Sequence, residues 1–124
     1  MGTRVKTTEH AEQAAVVKWW AYSCKQYGLP EFALLAIPNA AKRSHALASY
    51  LKAEGLRAGV PDLFLAVPRK WPDVPGLWIE MKVHPNKPTP SQQAVILYLR
   101  QHGYHVHVCY SASEAIHVIE TYLK

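Results

Sequence analysis

Apolar residues recur along this chain with two periods, and the changes from one to the other divide it into helical and extended segments. From Thr8 to Tyr27, Ala15, Val16, Trp19, Trp20 and Tyr22 form a helical stripe, and Gly28 and Pro30 follow in the order that ends a helix. Glu12 lies four residues before Val16 and seven before Trp19, so its carboxylate projects from that stripe, toward the interior. Phe32 to Ile37 is a short apolar run that predicts a buried strand, and a basic helix is expected from Ala40 to Glu54, stopped by Gly55. Arg57 falls in the following loop. A second strand is expected from Asp62 to Val67, a proline-rich turn from Arg69 to Gly76, and a third strand from Leu77 to Val83.

The second half is punctuated more sharply. Thr89-Pro90-Ser91-Gln92 supplies an N-cap, a proline in the first turn and a capping-box partner, so a helix starts there and runs to about His102 before Gly103. Tyr104 to Tyr110 predicts a fourth strand, and Ser111-Ala-Ser-Glu114 is a second capping box that opens the last helix. The order α-β-α-β-β-α-β-α argues for an α/β fold, a mixed sheet flanked by helices.

Two of the apolar runs carry charges that a buried strand should not tolerate. Asp62 stands at the start of Asp62-Leu-Phe-Leu-Ala-Val67, and Glu80 and Lys82 interrupt Leu77-Trp-Ile-Glu-Met-Lys-Val83. Burying a charge costs several kcal/mol unless it is paired or bound to a metal. Period-two geometry puts Trp78, Glu80 and Lys82 on one face and Leu77, Ile79, Met81 and Val83 on the other. Sequential strands joined by a short turn are usually neighbours, so Asp62 and Glu80 are expected to meet. Two such carboxylates repel, and a divalent cation with a preference for oxygen, magnesium being the natural choice, relieves the repulsion. Lys82 can then orient a water or neutralise charge on a phosphate, and Glu12 can reach the metal directly or through water. Each residue also has a plainer reading. Asp62 can be a strand-start residue after Pro61, Glu80 and Lys82 an exposed ion pair worth about 0.2–1 kcal/mol, Glu12 a carboxylate favoured by the helix dipole, and Gln92 a cap.

Composition narrows the class. The chain has 124 residues, 49% hydrophobic and 19% charged, values of one globular domain. No apolar run is long enough to span a bilayer and no secretory signal is visible, so a soluble cytoplasmic protein is expected. Cys24 and Cys109 have no metal-binding spacing and suggest no disulfide framework, in keeping with a reducing compartment. The net charge of +5 and pI of about 9.3 favour a polyanionic partner. Arg4, Lys6, Lys42, Arg43, Lys52, Arg57, Arg69, Lys70 and Lys87 are the candidates for phosphate contacts. Among the seven histidines no pair has helical metal spacing; His105 and His107 share a strand face and are expected at the surface.

Pro61-Asp62 followed by Glu80-Met81-Lys82 resembles the PD-(D/E)xK nuclease signature. Glu12, Arg57-x-Gly59-Val-Pro-Asp62, Glu80-x-Lys82, and Gln92 ahead of Leu99 and Gly103 together resemble the VRR-NUC domain, from about residue 9 to 123. The Val-Arg-Arg string that family members often have near the second motif is absent. The resemblance implies a restriction-endonuclease-like sheet and a Mg²⁺- or Mn²⁺-dependent phosphodiesterase acting on DNA. It implies Asp62, Glu80, the Met81 carbonyl and Glu12 as metal ligands, Lys82 as the catalytic lysine and Gln92 beside the site. Lys42, Arg43, Lys52, Arg57 and Lys87 are the expected DNA contacts. The likeness to standalone members implies a homodimer, in a bacterial cell or phage-infected host, that cuts branched DNA such as Holliday junctions. A silent binding module, or a nuclease for linear or flap DNA, are the alternatives.

Overall fold

A computed structural model describes residues 6–38 and 44–124. The elements are α1 (Glu9–Ser23), β1 (Leu34–Ala36), α2 (His45–Ala53), β2 (Leu63–Leu65), β3 (Leu77–Met81), α3 (Pro90–Gln101), β4 (His105–Cys109) and α4 (Ala112–Tyr122). The expected order therefore holds, with shorter strands. The first helix begins after the Thr8 N-cap and ends in a 3-10 turn, Cys24–Tyr27, closed by the left-handed Gly28. Residues 31–33, the last two of them expected as the start of the first strand, form another 3-10 turn, whose Glu31 carbonyl accepts from the buried Trp20 indole at 2.9 Å. That bond bends the chain under α1 and leaves only Leu34–Ala36 extended. Ser44 caps α2; the part of that helix expected at residues 40–43 lies outside the described residues.

The sheet runs β1-β2-β3-β4, antiparallel across the first two pairings and parallel between β3 and β4. The short proline turn joins β2 to β3 as a hairpin, whereas the parallel step needs α3 as its crossover. Alternation then divides the side chains between two layers. Leu63, Leu65, Leu77, Ile79, Met81 and Cys109 pack against Val16 and Trp20 of α1 and Ala115, Ile119 and Tyr122 of α4, forming the main core. On the other face Trp78, Val106 and Val108 meet Ile96 and Leu99 of α3. Phe64 stacks on Trp78 there, 4.4 Å between ring centres. Both cysteines are buried and unbridged, as expected.

No helix among the described residues is long and apolar enough to cross a membrane. Ile119 is fully buried in the main core, so Ile119→Ala should cost about 2–5 kcal/mol of stability. The check is urea denaturation, in which the midpoint falls and the slope stays unchanged.

Candidate active site

Five described residues are buried polar or charged side chains, and four of them, Asp62, Glu80, Lys82 and Gln92, gather on the α3 face of the sheet. They are only 7%, 2%, 6% and 8% exposed, respectively. The β2–β3 register, Leu63 opposite Ile79, brings Asp62 beside Glu80 just past the ladder. Asp62 is fastened from two sides: its carbonyl accepts from the Ile37 amide at 2.8 Å, and its Oδ2 accepts from the Met81 amide at 2.7 Å. A carboxylate thus takes the bond that a backbone carbonyl would make if the strands stayed paired. In an extended strand a residue's N–H and C=O leave the same edge, so the Met81 carbonyl faces the side on which Asp62 lies.

Glu80 Oε1 accepts from Gln92 Nε2 at 2.9 Å, and Lys82 Nζ lies 4.0 Å from the same oxygen, at the limit of an ion pair. Lys82 is itself held in line because its amide donates to the Cys109 carbonyl at 2.9 Å, extending the β3–β4 pairing. The Gln92 amide serves two purposes. Its oxygen accepts from the Thr89 amide at 2.8 Å, completing the capping box, while its nitrogen holds Glu80. The capping and site readings of Gln92 are therefore one geometry.

Gly59 explains the glycine of the Arg57-x-Gly59-Val-Pro-Asp62 stretch. Its φ is +88°, and a β-carbon there would stand 2.5 Å from the Ser91 carbonyl oxygen. Only a residue without a side chain lets this loop lie on the first turn of α3, which places Asp62 and Gln92 on the same small site.

Glu12 does face inward from α1, but it meets α4. One oxygen accepts from the Ala112 amide at 3.0 Å and the other from the Thr7 hydroxyl at 2.7 Å. The Ala112 bond first, then the Thr7 bond, hold its carboxyl below the usual carboxylate range, with burial opposing them. Among the described residues no three of His, Cys, Asp and Glu gather to hold a metal, so Glu12 forms no three-ligand group with Asp62 and Glu80. The helical wheel gives the reason. Glu12 shares the face of the buried Val16, Trp20 and Ser23, whereas His10, Gln13, Val17, Lys18 and Ala21 form the opposite stripe, which lines a cavity of about 670 Å³ reaching Asp62. Sequence reading missed His10, Gln13 and Lys18 there; their helical spacing was the available signal.

Of the expected DNA contacts, Lys42 and Arg43 lie outside the described residues, and Lys52, Arg57 and Lys87 are exposed. Arg57 precedes the Gly59 loop and Lys87 precedes the Thr89 cap, so both border the N-terminal end of α3.

A mixed sheet flanked by helices, carrying two buried carboxylates and a lysine at the ends of adjacent strands, is the arrangement of a restriction-endonuclease-like domain. The VRR-NUC domain model matches residues 5–113. The chain belongs to this family, which is of the PD-(D/E)xK nuclease type, and is a nuclease-type domain. A solved structure described as a VRR_NUC domain protein is similar to it with a TM-score of 0.78 and 28% identity, over 96% of this chain and 90% of that one. No curated protein matches.

Two predictions follow from these contacts. Gln92→Glu keeps the capping acceptor but sets a second carboxylate against Glu80, and Gly59→Ala forces loop and helix apart; each should cost about 1–3 kcal/mol in urea denaturation near neutral pH. Glu12, whose folded carboxyl titrates low, stabilises the fold above its unfolded pKa, and that contribution is lost as pH falls through the folded value. Stability measured from about pH 5 down to about pH 3 should therefore fall more steeply in the parent than in Glu12→Gln.

Proposed function

We propose that this protein is a divalent-metal-dependent, structure-selective DNA endonuclease that hydrolyses phosphodiester bonds in branched DNA, four-way junctions among them, and acts as a cytoplasmic homodimer. The observation that carries the reading is the convergence of Asp62, Glu80 and Lys82 in one buried site within a nuclease-family fold. Two buried carboxylates brought side by side repel one another, an arrangement that favours a bound cation. The donor set fits Mg²⁺ or Mn²⁺, because carboxylate and carbonyl oxygens are the hard ligands these ions prefer. Asp62, Glu80 and the Met81 carbonyl would hold the ion. When bound, it would polarise a phosphoryl oxygen and lower the pKa of a water.

The chain's own groups account for the remaining work. Gln92 fixes the Glu80 carboxylate through the bond from its side-chain nitrogen, so that oxygen keeps its position without reorganising. Asp62 is fixed likewise by the Met81 amide. Lys82 brings a positive charge to the site that can compensate charge developing on the phosphate or orient the attacking water. Glu12 supports the site from behind by tying α1 to the start of α4. Arg57 and Lys87, exposed near the start of α3, would track the phosphate backbone toward the carboxylates, and Lys42, Arg43 and Lys52 are proposed as further phosphate contacts. α2 buries none of its residues and leaves Leu47 and Tyr50 exposed, which supports a role in contacts with a second copy or with DNA.

The test is incubation with Mg²⁺ or Mn²⁺ and a panel of junction, flap, fork and linear DNA. Symmetric paired cuts near the branch are expected, none in EDTA, and a loss of at least about a hundredfold in Lys82→Ala with binding retained. Cleavage by Lys82→Ala at the parental rate would overturn the mechanism, and binding without any cut would assign a silent module instead.

A further inference from the structure

On the opposite face of the sheet from Glu80 and Lys82 lies a separate cavity of about 320 Å³, lined by Arg69, His105, His107, His117, Thr121 and Tyr122. His105 sits opposite Leu77 at the start of β3, while the carboxylate–lysine site is at its end. At about 3.3 Å per residue His105 is about 10 Å from Glu80 along the strand and His107, paired with Ile79, is nearer, so it is the sheet itself, with the two sets of side chains on opposite faces, that keeps cavity and site apart.

The cavity is lined by one fixed cation, three imidazoles and no carboxylate. His105 packs edge-on against Tyr122 at 5.7 Å and lies 6.5 Å from His107. The Arg69 guanidinium sits 5.9 Å over the Tyr122 ring, and no described carboxylate forms an ion pair with it. Its five donors leave it well suited to bind an oxyanion. Tyr122 spends its hydroxyl proton on the Val67 carbonyl at 2.7 Å, which fixes the ring that organises Arg69 and His105. Arg100, from α3, donates to the Val106 carbonyl at 2.8 Å and adds positive charge at the β4 edge near His107. The groups that face the cavity are thus His105 and His107 from β4, His117 and Tyr122 from α4 and Arg69 from the β2–β3 connection, while Arg100 lines a neighbouring pocket along β4; no carboxylate lines the cavity. Burial first, then the charges of His105 and Arg100, hold His107 below the ordinary imidazole range. An anion placed among these side chains would favour the protonated imidazoles and pair with the guanidinium. A metal reading is disfavoured, since these imidazoles do not gather in a ligating group.

We propose that this cavity is a phosphate-binding site, distinct from the catalytic centre, in which the Arg69 guanidinium and the imidazoles of His105, His107 and His117 receive a phosphoryl group. The phosphoryl group can belong to a DNA backbone, which would hold a second segment of the substrate, or to a small phosphorylated molecule. Binding here requires no hydrolysis, so the inference stands apart from the proposed nuclease activity.

The full-length protein is studied in EDTA, following the imidazole signals by NMR as inorganic phosphate is added, with chloride at matched ionic strength as control. Phosphate should raise the titration midpoints of His105, His107 and His117 saturably. At about pH 6 the affinity should fall roughly tenfold in Arg69→Gln and stay unchanged in Lys82→Ala. A backbone spectrum matching the parent keeps a misfolded variant from counting. Displacement of phosphate by a DNA duplex identifies the backbone as the source, and displacement by a mononucleotide alone identifies a small ligand; either outcome supports the site. Equal shifts with chloride, or an Arg69→Gln variant that binds phosphate as the parent does, would overturn it.

Discussion

Asp62 reaching across to the Met81 amide is the contact on which the rest of the site depends. A buried carboxylate has to replace the water it loses, and each such group costs several kcal/mol when left unsatisfied. Here the replacement is backbone: Asp62 takes over the role of a strand partner just where the β2–β3 ladder stops. That substitution brings a second carboxylate beside Glu80 where the β2–β3 pairing stops. Carboxylate placement and strand termination are therefore one event.

α3 is the second support, and a small number of residues serve it twice. The Gln92 amide both closes the capping box and holds Glu80, so the site cannot shift without loosening the helix. The backbone of Gly59 lies against Ser91 on the same turn, which ties the loop before Asp62 to the helix that restrains Glu80. The two faces of the sheet consequently differ in character. The face toward α1 and α4 carries the main apolar core, with the histidine-lined cavity beside it, while the α3 face ends in buried charge. Glu12 belongs to the first of these, where its carboxylate receives the Ala112 amide at the N-terminus of α4, a position at which negative charge is favoured.

Much of this was legible in the residues. The capping box at Thr89, the glycine stops at Gly28 and Gly103 and the period-two pattern around Glu80 are local signals, and each of them marks an element that forms. The strands were overextended by a residue or two at their ends, and at residues 32–33 the reason is a tertiary bond from Trp20 to the Glu31 carbonyl, which bends a segment whose side chains favour extension. The partner of Glu12 was out of reach for a different reason. It lies 100 residues away in the chain, and nothing local distinguishes an inward glutamate that meets a cation from one that meets a helix end.

The chain by itself determined the order of helices and strands, the burial of charge in Asp62, Glu80 and Lys82, and the family signature that spans them, since periodicity, caps and motif spacing are properties of neighbouring residues. Only the tertiary structure decided that the Asp62 carboxylate would bond a backbone amide of the next strand, and that Gln92 would serve both cap and site. It also decided that Arg69 and three histidines from separate elements would enclose one cavity. Those outcomes depend on strand register, on which face of the sheet each helix covers and on contacts between residues far apart in the chain. They are fixed when the whole core packs, and no stretch of residues carries them alone.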